Sequence, residues 1–302
     1  MFNNIRGDSG LSLWLWTHQF EIRHAIRRAY KANSFCVDEI SANQYRRINF
    51  FKEVGLDASR CLQTDWNTID GGRASAACLL EQFRARAWAL GILYKSLPRF
   101  EFERFHITLR NIFDRLPEGN LSRFNLQAYK QRMSRVLASL KKLRPDMVAI
   151  GTVEILAVRN PGGSVHFEPQ LHLVIQYATH EQIRCALQTE YAAEEYDWKS
   201  SGSYQPYSPR TLAHSLAYMF KFKPLLLSRT VDQRAQFQRG SFVLTGAAHA
   251  EWVIWMSRHK IYELLIVCSE PSGTMDELHS CNLQRIVEEL LLATPKHRTA
   301  AK

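Results

Sequence analysis

The alternation of apolar and polar residues predicts a β-strand over residues 167–176. Its centre, residues 171–175, reads Leu-His-Leu-Val-Ile, an apolar run of strand length that contains a single histidine. Successive side chains of an extended chain point to opposite faces, so Gln170, His172 and Val174 share one face and the other apolar residues share the opposite face. One face is typical of a core, and the other carries two side chains able to bind a metal. A lone histidine in a strand is more often an ordinary buried residue, so this strand alone favours a structural role.

The same pattern predicts strands and helices on both sides of this strand. Strands are expected at residues 105–109 and 147–158, with a helix between them that Ser122 caps and Pro145 ends. Asn160-Pro161-Gly162-Gly163 predicts a hairpin turn that leads into residues 167–176. The other predicted elements are helices at 180–188, 211–223, 247–259 and 275–293, and a strand at 262–268.

The order of these elements is typical of an α+β domain, with a central antiparallel sheet and helices on one face. We expect this domain to span residues 96–230. Residues 1–95 are expected to form a helical N-terminal region, because apolar residues recur there at three- and four-residue steps. Residues 231–302 are expected to form a mainly helical C-terminal region. A chain of 302 residues can bury a sizeable core and hold more than one domain.

The charge of the chain favours a polyanionic partner. It has 39 Lys and Arg against 29 Asp and Glu, a formal net charge of +10. Between Lys95 and Arg144 twelve basic residues face four acidic ones. Net charge informs association rather than fold, and a solvated helix surface explains the local excess as well as a nucleic-acid interface does.

The cysteines and the apolar runs exclude other classes of protein. None of the six cysteines forms a Cys-x-x-Cys pair, which argues against a zinc cage and fits reduced cytosolic thiols. No apolar run approaches the ~20 residues that a membrane helix needs. The apolar residues 11–16 lack the basic stretch and the cleavage site of a signal peptide. The sequence therefore predicts a cytoplasmic protein with no membrane contact.

The predicted helix at residues 211–223 carries a second group of candidate residues. His214, Tyr218 and Lys221 are spaced i, i+4 and i+7, so they share a helix face. A tyrosine in a helix is more often part of the core. The lysine three residues later favours a functional role here, because it can hold a phosphate or lower the pKa of the phenol.

Three segments stand in the order found in the HUH endonucleases, the rolling-circle replication initiators and related transposases. Residues 105–109 (Phe-His-Ile-Thr-Leu) resemble the first motif of that family. Residues 169–173 (Pro-Gln-Leu-His-Leu) resemble its metal motif, two histidines that flank a hydrophobic residue. Residues 218–221 (Tyr-Met-Phe-Lys) resemble its catalytic motif, and Glu154 stands where some members have an acidic residue. The resemblance covers roughly residues 100–225.

The resemblance implies a metal-dependent endonuclease and strand transferase that initiates rolling-circle replication, on a plasmid for example, or transposition. Tyr218 would attack a phosphodiester and form a 5′-phosphotyrosine intermediate, with Lys221 steadying the phosphate and Mg²⁺ or Mn²⁺ as cofactor. The partners would be single-stranded or hairpin DNA and a host helicase. The expected metal ligands are His172, Gln170, Glu154 and His166. The side chains expected to contact DNA are Thr108, Arg110, Lys130, Arg135 and His214.

The metal motif departs from the family pattern at Gln170, where the family has a histidine. An amide oxygen can coordinate Mg²⁺ or Mn²⁺ but brings no charge. His166 and Glu168 would share a face with His172 in an unbroken strand, so either could supply the missing ligand, whereas Pro169 argues against such continuity.

The catalytic motif departs from that of the two-tyrosine members, which space their tyrosines four residues apart. The residue four positions after Tyr218 is Phe222. The chain is therefore expected to be a single-tyrosine enzyme.

Two other functions explain part of the same sequence. A nucleic-acid-binding module of RRM-like shape would recognise a hairpin without cutting it, and Gln170 favours this function because a weakened metal site would leave only binding. A structural, partner-binding protein would explain the charge but neither the Tyr-x-x-Lys helix nor the sheet. The distance between Tyr218 and the Gln170/His172 face discriminates between cleavage and binding alone.

Overall fold

The computed structural model describes residues 21–22, 24–25, 37–55, 57, 75–97, 104–110, 114–190, 205–206, 209–231 and 237–269. The predicted helix at 275–293 lies outside these ranges. The longer α-helices of the described residues are α1 (Val37–Glu53), α2 (Leu79–Trp88), α3 (Leu126–Leu143), α4 (His180–Glu190), α5 (Pro209–Met219) and α6 (Gly246–Ser257). A π-helical segment (Ala89–Leu93) and a short α-helix (Tyr94–Ser96) continue α2. The strands are β1 (Arg104–Arg110), β2 (Leu116–Pro117), β3 (Val148–Arg159), β4 (Val165–Gln176), β5 (Gln205–Pro206), β6 (Leu225–Val231), β7 (Phe237–Val243) and β8 (Leu265–Cys268). In these ranges no helix has the length and apolar character needed to cross a membrane.

The strands form one mixed sheet in the order β5-β1-β4-β3-β6-β7, with β2 paired to β4 and β8 paired to β3. The predicted α+β class is confirmed, and the central strands β1, β4 and β3 pair antiparallel as expected. The pairing of β3 with β6 is parallel, which the prediction of an antiparallel sheet missed. The chain reaches β6 only after β4, α4 and α5, and such long connections permit parallel pairing where a tight hairpin does not.

Both faces of β4 are buried. Leu171, Leu173 and Ile175 on one face and His172 and Val174 on the other are each at most 2% exposed. Helix α5 packs against β4 on the His172 face. The apolar side chains of the opposite face are buried too, which removes them from water.

Strand β4 runs without interruption through Pro169, which pairs with Ile155 of β3. On its other edge β4 pairs with β2 at residues 166–167 and with β1 from Gln170 onwards. Pro169 therefore lies where no described strand borders that edge, and its missing N–H costs no ladder hydrogen bond there. All the even-numbered residues of β4 share one face as a result.

Helix α3 begins at Leu126, four residues later than the predicted cap. Asn125 is the N-cap, since its side-chain oxygen accepts a hydrogen bond from the Ala128 N–H at 2.9 Å. Ser122 lies in a short 3₁₀ turn instead. Serine and asparagine are equally good caps, so the sequence alone did not choose between them.

Gly151 of β3 lies close to the backbone of β4, with no room for a side chain. A Cβ atom at this position would lie 2.6 Å from the backbone oxygen of His172 and 2.8 Å from a methyl carbon of Leu173. We expect Gly151→Ala to destabilise the fold by roughly 1–3 kcal/mol, because the ladder oxygen cannot move away freely. Thermal unfolding measures this. The control is Gly162→Ala in the exposed hairpin turn, where a Cβ meets nothing within 4 Å; equal melting temperatures for the two variants would contradict the account.

Candidate active site

A compact polar cluster lies on one face of the β3–β4 hairpin. Glu154 is directly opposite Gln170 in the strand register. One carboxylate oxygen of Glu154, Oε2, accepts a hydrogen bond from Gln170 Nε2 at 2.8 Å and lies 2.8 Å from His172 Nε2. The three side chains are at most 6% exposed. The structure thus brings together three of the four predicted metal ligands.

The ring of His172 is held from both sides. Its Nε2 faces Glu154, and its Nδ1 lies 3.1 Å from the hydroxyl oxygen of Thr108 on β1. Thr108 is the residue paired with His172 across the β1–β4 ladder. With a partner at each nitrogen the imidazole has a fixed orientation, as ligand histidines usually do.

Glu154 is a buried carboxylate, and one of its two oxygens has no hydrogen-bond partner among the described residues. Burial raises the pKa of this group, but the hydrogen bond from His172 and the positive charge of Lys221 outweigh burial and leave the pKa below its usual value. The second oxygen, Oε1, is buried and has no hydrogen-bond partner among the described residues. A charged, buried oxygen without a donor is suited to accept a cation.

His166 shares the face of the cluster but not its position. Its Nε2 lies 3.0 Å from Glu168, whose carboxylate also pairs with Arg115 at 2.8 Å. His166 is four residues from Gln170 along an unbroken strand, roughly 13 Å at the rise of a β-strand. The alternation of side chains predicted the face correctly, whereas the spacing along the strand keeps His166 out of the cluster.

Tyr218 reaches the cluster from α5. Its ring meets the ring of His172 edge-on, with centroids 5.0 Å apart and an interplanar angle of 82°. The rings of His106 and His214 lie at 5.9 and 6.3 Å from the tyrosine ring. The residue is half-buried. Its side-chain contacts with described residues run through the ring, which leaves the hydroxyl oxygen available to a ligand.

Lys221 lies beside Tyr218 as predicted, but it is not part of the same helix. Helix α5 ends at Met219 rather than at residue 223, and Phe222 has a positive φ of 39°. A proline at position 224 disfavours helical geometry in the residue before it. Lys221 therefore lies in the turn after the helix, and its ammonium is still 4.4 Å from the centroid of the Tyr218 ring.

His106 is a site residue that the sequence analysis missed. Burial and the proximity of His172 and His214 lower the pKa of His106 to about 3, so its ring is neutral at physiological pH. Its Nε2 is buried without a hydrogen-bond partner in the described part of the chain. The signal was present, since His106 precedes Thr108 by two residues in a strand and shares its face.

The residues expected to contact DNA lie in different surroundings. The Thr108 hydroxyl is within hydrogen-bond distance of His172, and the His214 ring lies next to the ring of Tyr218. Lys130 donates a hydrogen bond to the backbone oxygen of Glu263 at 2.6 Å, and burial lowers its pKa. Arg135 is exposed and lines an open groove of about 470 Å³ beside α3. Arg110 ends β1 opposite Gln170, and its side chain lies outside the described residues.

The donor set of the cluster fits a divalent cation. It offers the imidazole of His172, the carboxylate of Glu154 with its unpartnered oxygen, and the Gln170 amide. The amide nitrogen of Gln170 now faces the carboxylate, and a 180° rotation of the amide group would bring its oxygen there instead. Mn²⁺ accepts mixed nitrogen and oxygen ligands, and Mg²⁺ prefers oxygen. In the described ranges no three His, Cys, Asp or Glu side chains form a metal-binding group, so a metal ion in this cluster would need the Gln170 amide as a ligand.

Comparisons of the chain with protein-family models, with curated proteins and with solved structures found no match. The arrangement of the site residues is therefore the basis for a functional proposal.

Proposed function

We propose that this chain is a metal-dependent endonuclease and strand transferase for single-stranded DNA, of the HUH type, with Tyr218 as nucleophile. The proposal extends to the initiation of rolling-circle replication or transposition. The observation that carries it is the edge contact between Tyr218 and His172, with ring centroids 5.0 Å apart. It places the predicted nucleophile of one element beside the predicted metal ligands of another, as a shared reaction centre requires.

The chemistry follows from the groups around the phenol. The Tyr218 oxygen attacks the phosphorus, the bond from phosphorus to the 3′ oxygen breaks, and the 3′ oxygen leaves as a hydroxyl after taking a proton. The 5′ side of the DNA stays on the protein as a phosphotyrosine diester. Lys221 places a positive charge 4.4 Å from the ring, where the negative charge of the phosphate arrives.

His172, Glu154 and Gln170 would hold Mg²⁺ or Mn²⁺, which would stabilise negative charge on the scissile phosphate. Thr108 contributes by fixing the His172 ring. When Nδ1–H donates to the Thr108 oxygen, the lone pair of Nε2 points into the cluster. These side chains are buried, whereas Tyr218 is half-buried, so the phosphate would enter from the tyrosine side.

A second function, binding of hairpin or single-stranded DNA without cleavage, is favoured by one observation. Gln170 Nε2 and His172 Nε2 both lie 2.8 Å from the same oxygen of Glu154. This arrangement satisfies the donors without a cation. A pure binding module would hold DNA through its basic surface and form no covalent adduct.

The test of the proposed function is an adduct assay. A pool of single-stranded and hairpin oligonucleotides with randomised segments, labelled at the 3′ end, is incubated with the protein and Mn²⁺ and run on a denaturing gel. The label belongs at the 3′ end because the protein keeps the downstream fragment. We expect a labelled, protein-sized band that disappears with EDTA. DNA binding without any such band would support the binding module instead.

Gln170→His should lower the Mn²⁺ concentration that half-saturates adduct formation by about tenfold, because imidazole is a better ligand than an amide. Gln170→Leu, of similar size but without a donor atom, is the matched variant and should raise that concentration. Mn²⁺ titrations of adduct yield provide both values. If both variants need the same Mn²⁺ as the unchanged protein, Gln170 is not a ligand.

A further inference from the structure

The backbone after Tyr218 makes a turn that needs support. Helix α5 ends at Met219. The backbone N–H of Lys221 donates to the backbone carbonyl oxygen of Tyr218 at 3.2 Å. Phe222 then adopts φ +39°, in the left-handed region that bulky residues disfavour. The last carbonyls of a helix also lack partners within the helix. A turn of this kind persists when neighbouring groups hold it in place.

Arg86 of α2 supplies that support from a distant part of the chain. Its Nε donates to the backbone oxygen of Phe220 at 2.9 Å, and a terminal nitrogen donates to that of Lys221 at 2.6 Å. The guanidinium is a rigid fork of donors that suits two adjacent acceptors, and its positive charge complements the negative end of α5. Arg86 is only 8% exposed, so these are buried bonds that solvent does not replace.

Thr152 completes the support from the sheet. Its hydroxyl donates to the backbone oxygen of Met219 at 2.7 Å. Thr152 lies directly opposite His172 in the β3–β4 register. Three consecutive carbonyls, those of residues 219–221, therefore each accept a hydrogen bond from a side chain outside α5. Strand β3 of the sheet and helix α2 therefore both bond to the same turn.

We propose that Arg86 is a positioning residue: by fixing residues 220–221 it holds Tyr218 and Lys221 towards the Glu154–His172 cluster, which makes α2 part of the active domain. This inference rests on the proposed function for its catalytic consequence. It also gives a role to α2 of the N-terminal region, which the sequence predicted only to be helical.

The test compares Arg86→Ala and Arg86→Lys with the unchanged protein. At saturating oligonucleotide, Arg86→Ala should slow single-turnover adduct formation on the order of 10- to 100-fold, because small displacements of a nucleophile have effects of this size. The dissociation constant for the DNA, from fluorescence anisotropy, should stay nearly constant, because Arg86 is buried away from solvent. Arg86→Lys should recover part of the rate, since an ammonium keeps the charge but not the fork.

Arg84→Ala is the matched control. Arg84 is also buried on the same helix, at 2% exposed, and pairs with Glu81 at 3.5 Å. Its loss should lower the melting temperature and leave the adduct rate nearly unchanged. The inference is overturned if Arg86→Ala reacts at the unchanged rate, or if Arg84→Ala slows the reaction as much as Arg86→Ala does.

Amide hydrogen exchange separates failure of this inference from failure of the proposed function. The peptide that covers residues 219–223 should exchange about tenfold faster in Arg86→Ala and at the unchanged rate in Arg84→Ala. This measurement needs no DNA. An absent adduct in the unchanged protein would refute the proposed function alone, whereas unchanged exchange in Arg86→Ala would refute the positioning role.

Discussion

Tyr218→Phe is expected to reduce covalent attachment of DNA by at least about a thousandfold, because it removes the attacking oxygen and nothing else. The phenyl ring retains its edge contact with His172 and its place beneath the Lys221 ammonium. DNA affinity should therefore remain within about twofold of the unchanged protein. Adduct gels measure the first quantity and fluorescence anisotropy the second.

Tyr262→Phe is the control for loss of a phenol hydroxyl. Tyr262 is 41% exposed in the turn before β8, and its variant should form the adduct at full yield. A full yield from Tyr218→Phe would refute the assignment of the nucleophile.

His172→Ala should remove cleavage, with a loss on the order of 100-fold or more that added Mn²⁺ does not restore. The imidazole contacts Glu154, Thr108 and Tyr218, so its removal takes away the proposed metal ligand and the ring that packs against the proposed nucleophile. The fold should also lose about 3–5 kcal/mol, because Glu154 remains buried with a weaker set of partners. Single-turnover rates measured well below the melting temperature separate the two effects.

His166→Ala is the matched variant for this prediction. His166 lies on the same face of β4 and is also buried, but it belongs to the pair with Glu168. Cleavage should survive its loss. An equal loss of cleavage in both variants would show that general disruption of β4, rather than the loss of one ligand, explains the result.

Local patterns predicted much of the fold. The alternation in β1 and β4, the turn at residues 160–163 and the helical spacing in α3 each depend on neighbouring residues, so the sequence shows them directly. The structure adds the register of β3 against β4, which places Glu154 opposite Gln170. Strands β6 and β7 were missed, because their basic and polar residues interrupt the alternation of apolar and polar positions. Their place in the sheet also depends on partners that are distant in sequence.

The parts of the site that the sequence did not show depend on contacts between distant residues. Arg86 meets the backbone of residues 220–221 across 134 and 135 positions of sequence, which no local pattern encodes. Lys221 was predicted from a helical spacing that the structure interrupts at Met219, and the turn brings it to Tyr218 all the same. Continuity through Pro169 depends on where β1 and β2 end, a property of the folded sheet.

The most direct test of the account is the mass of the peptide that carries the DNA. After the adduct reaction with Mn²⁺, nuclease and trypsin digestion should leave a 5′-nucleotide on the peptide of residues 211–221, in which Tyr218 is the only tyrosine. We expect fragmentation to place the nucleotide on Tyr218 and EDTA to prevent its formation. A nucleotide on any other residue, or none in a protein that binds the same oligonucleotide, would contradict it.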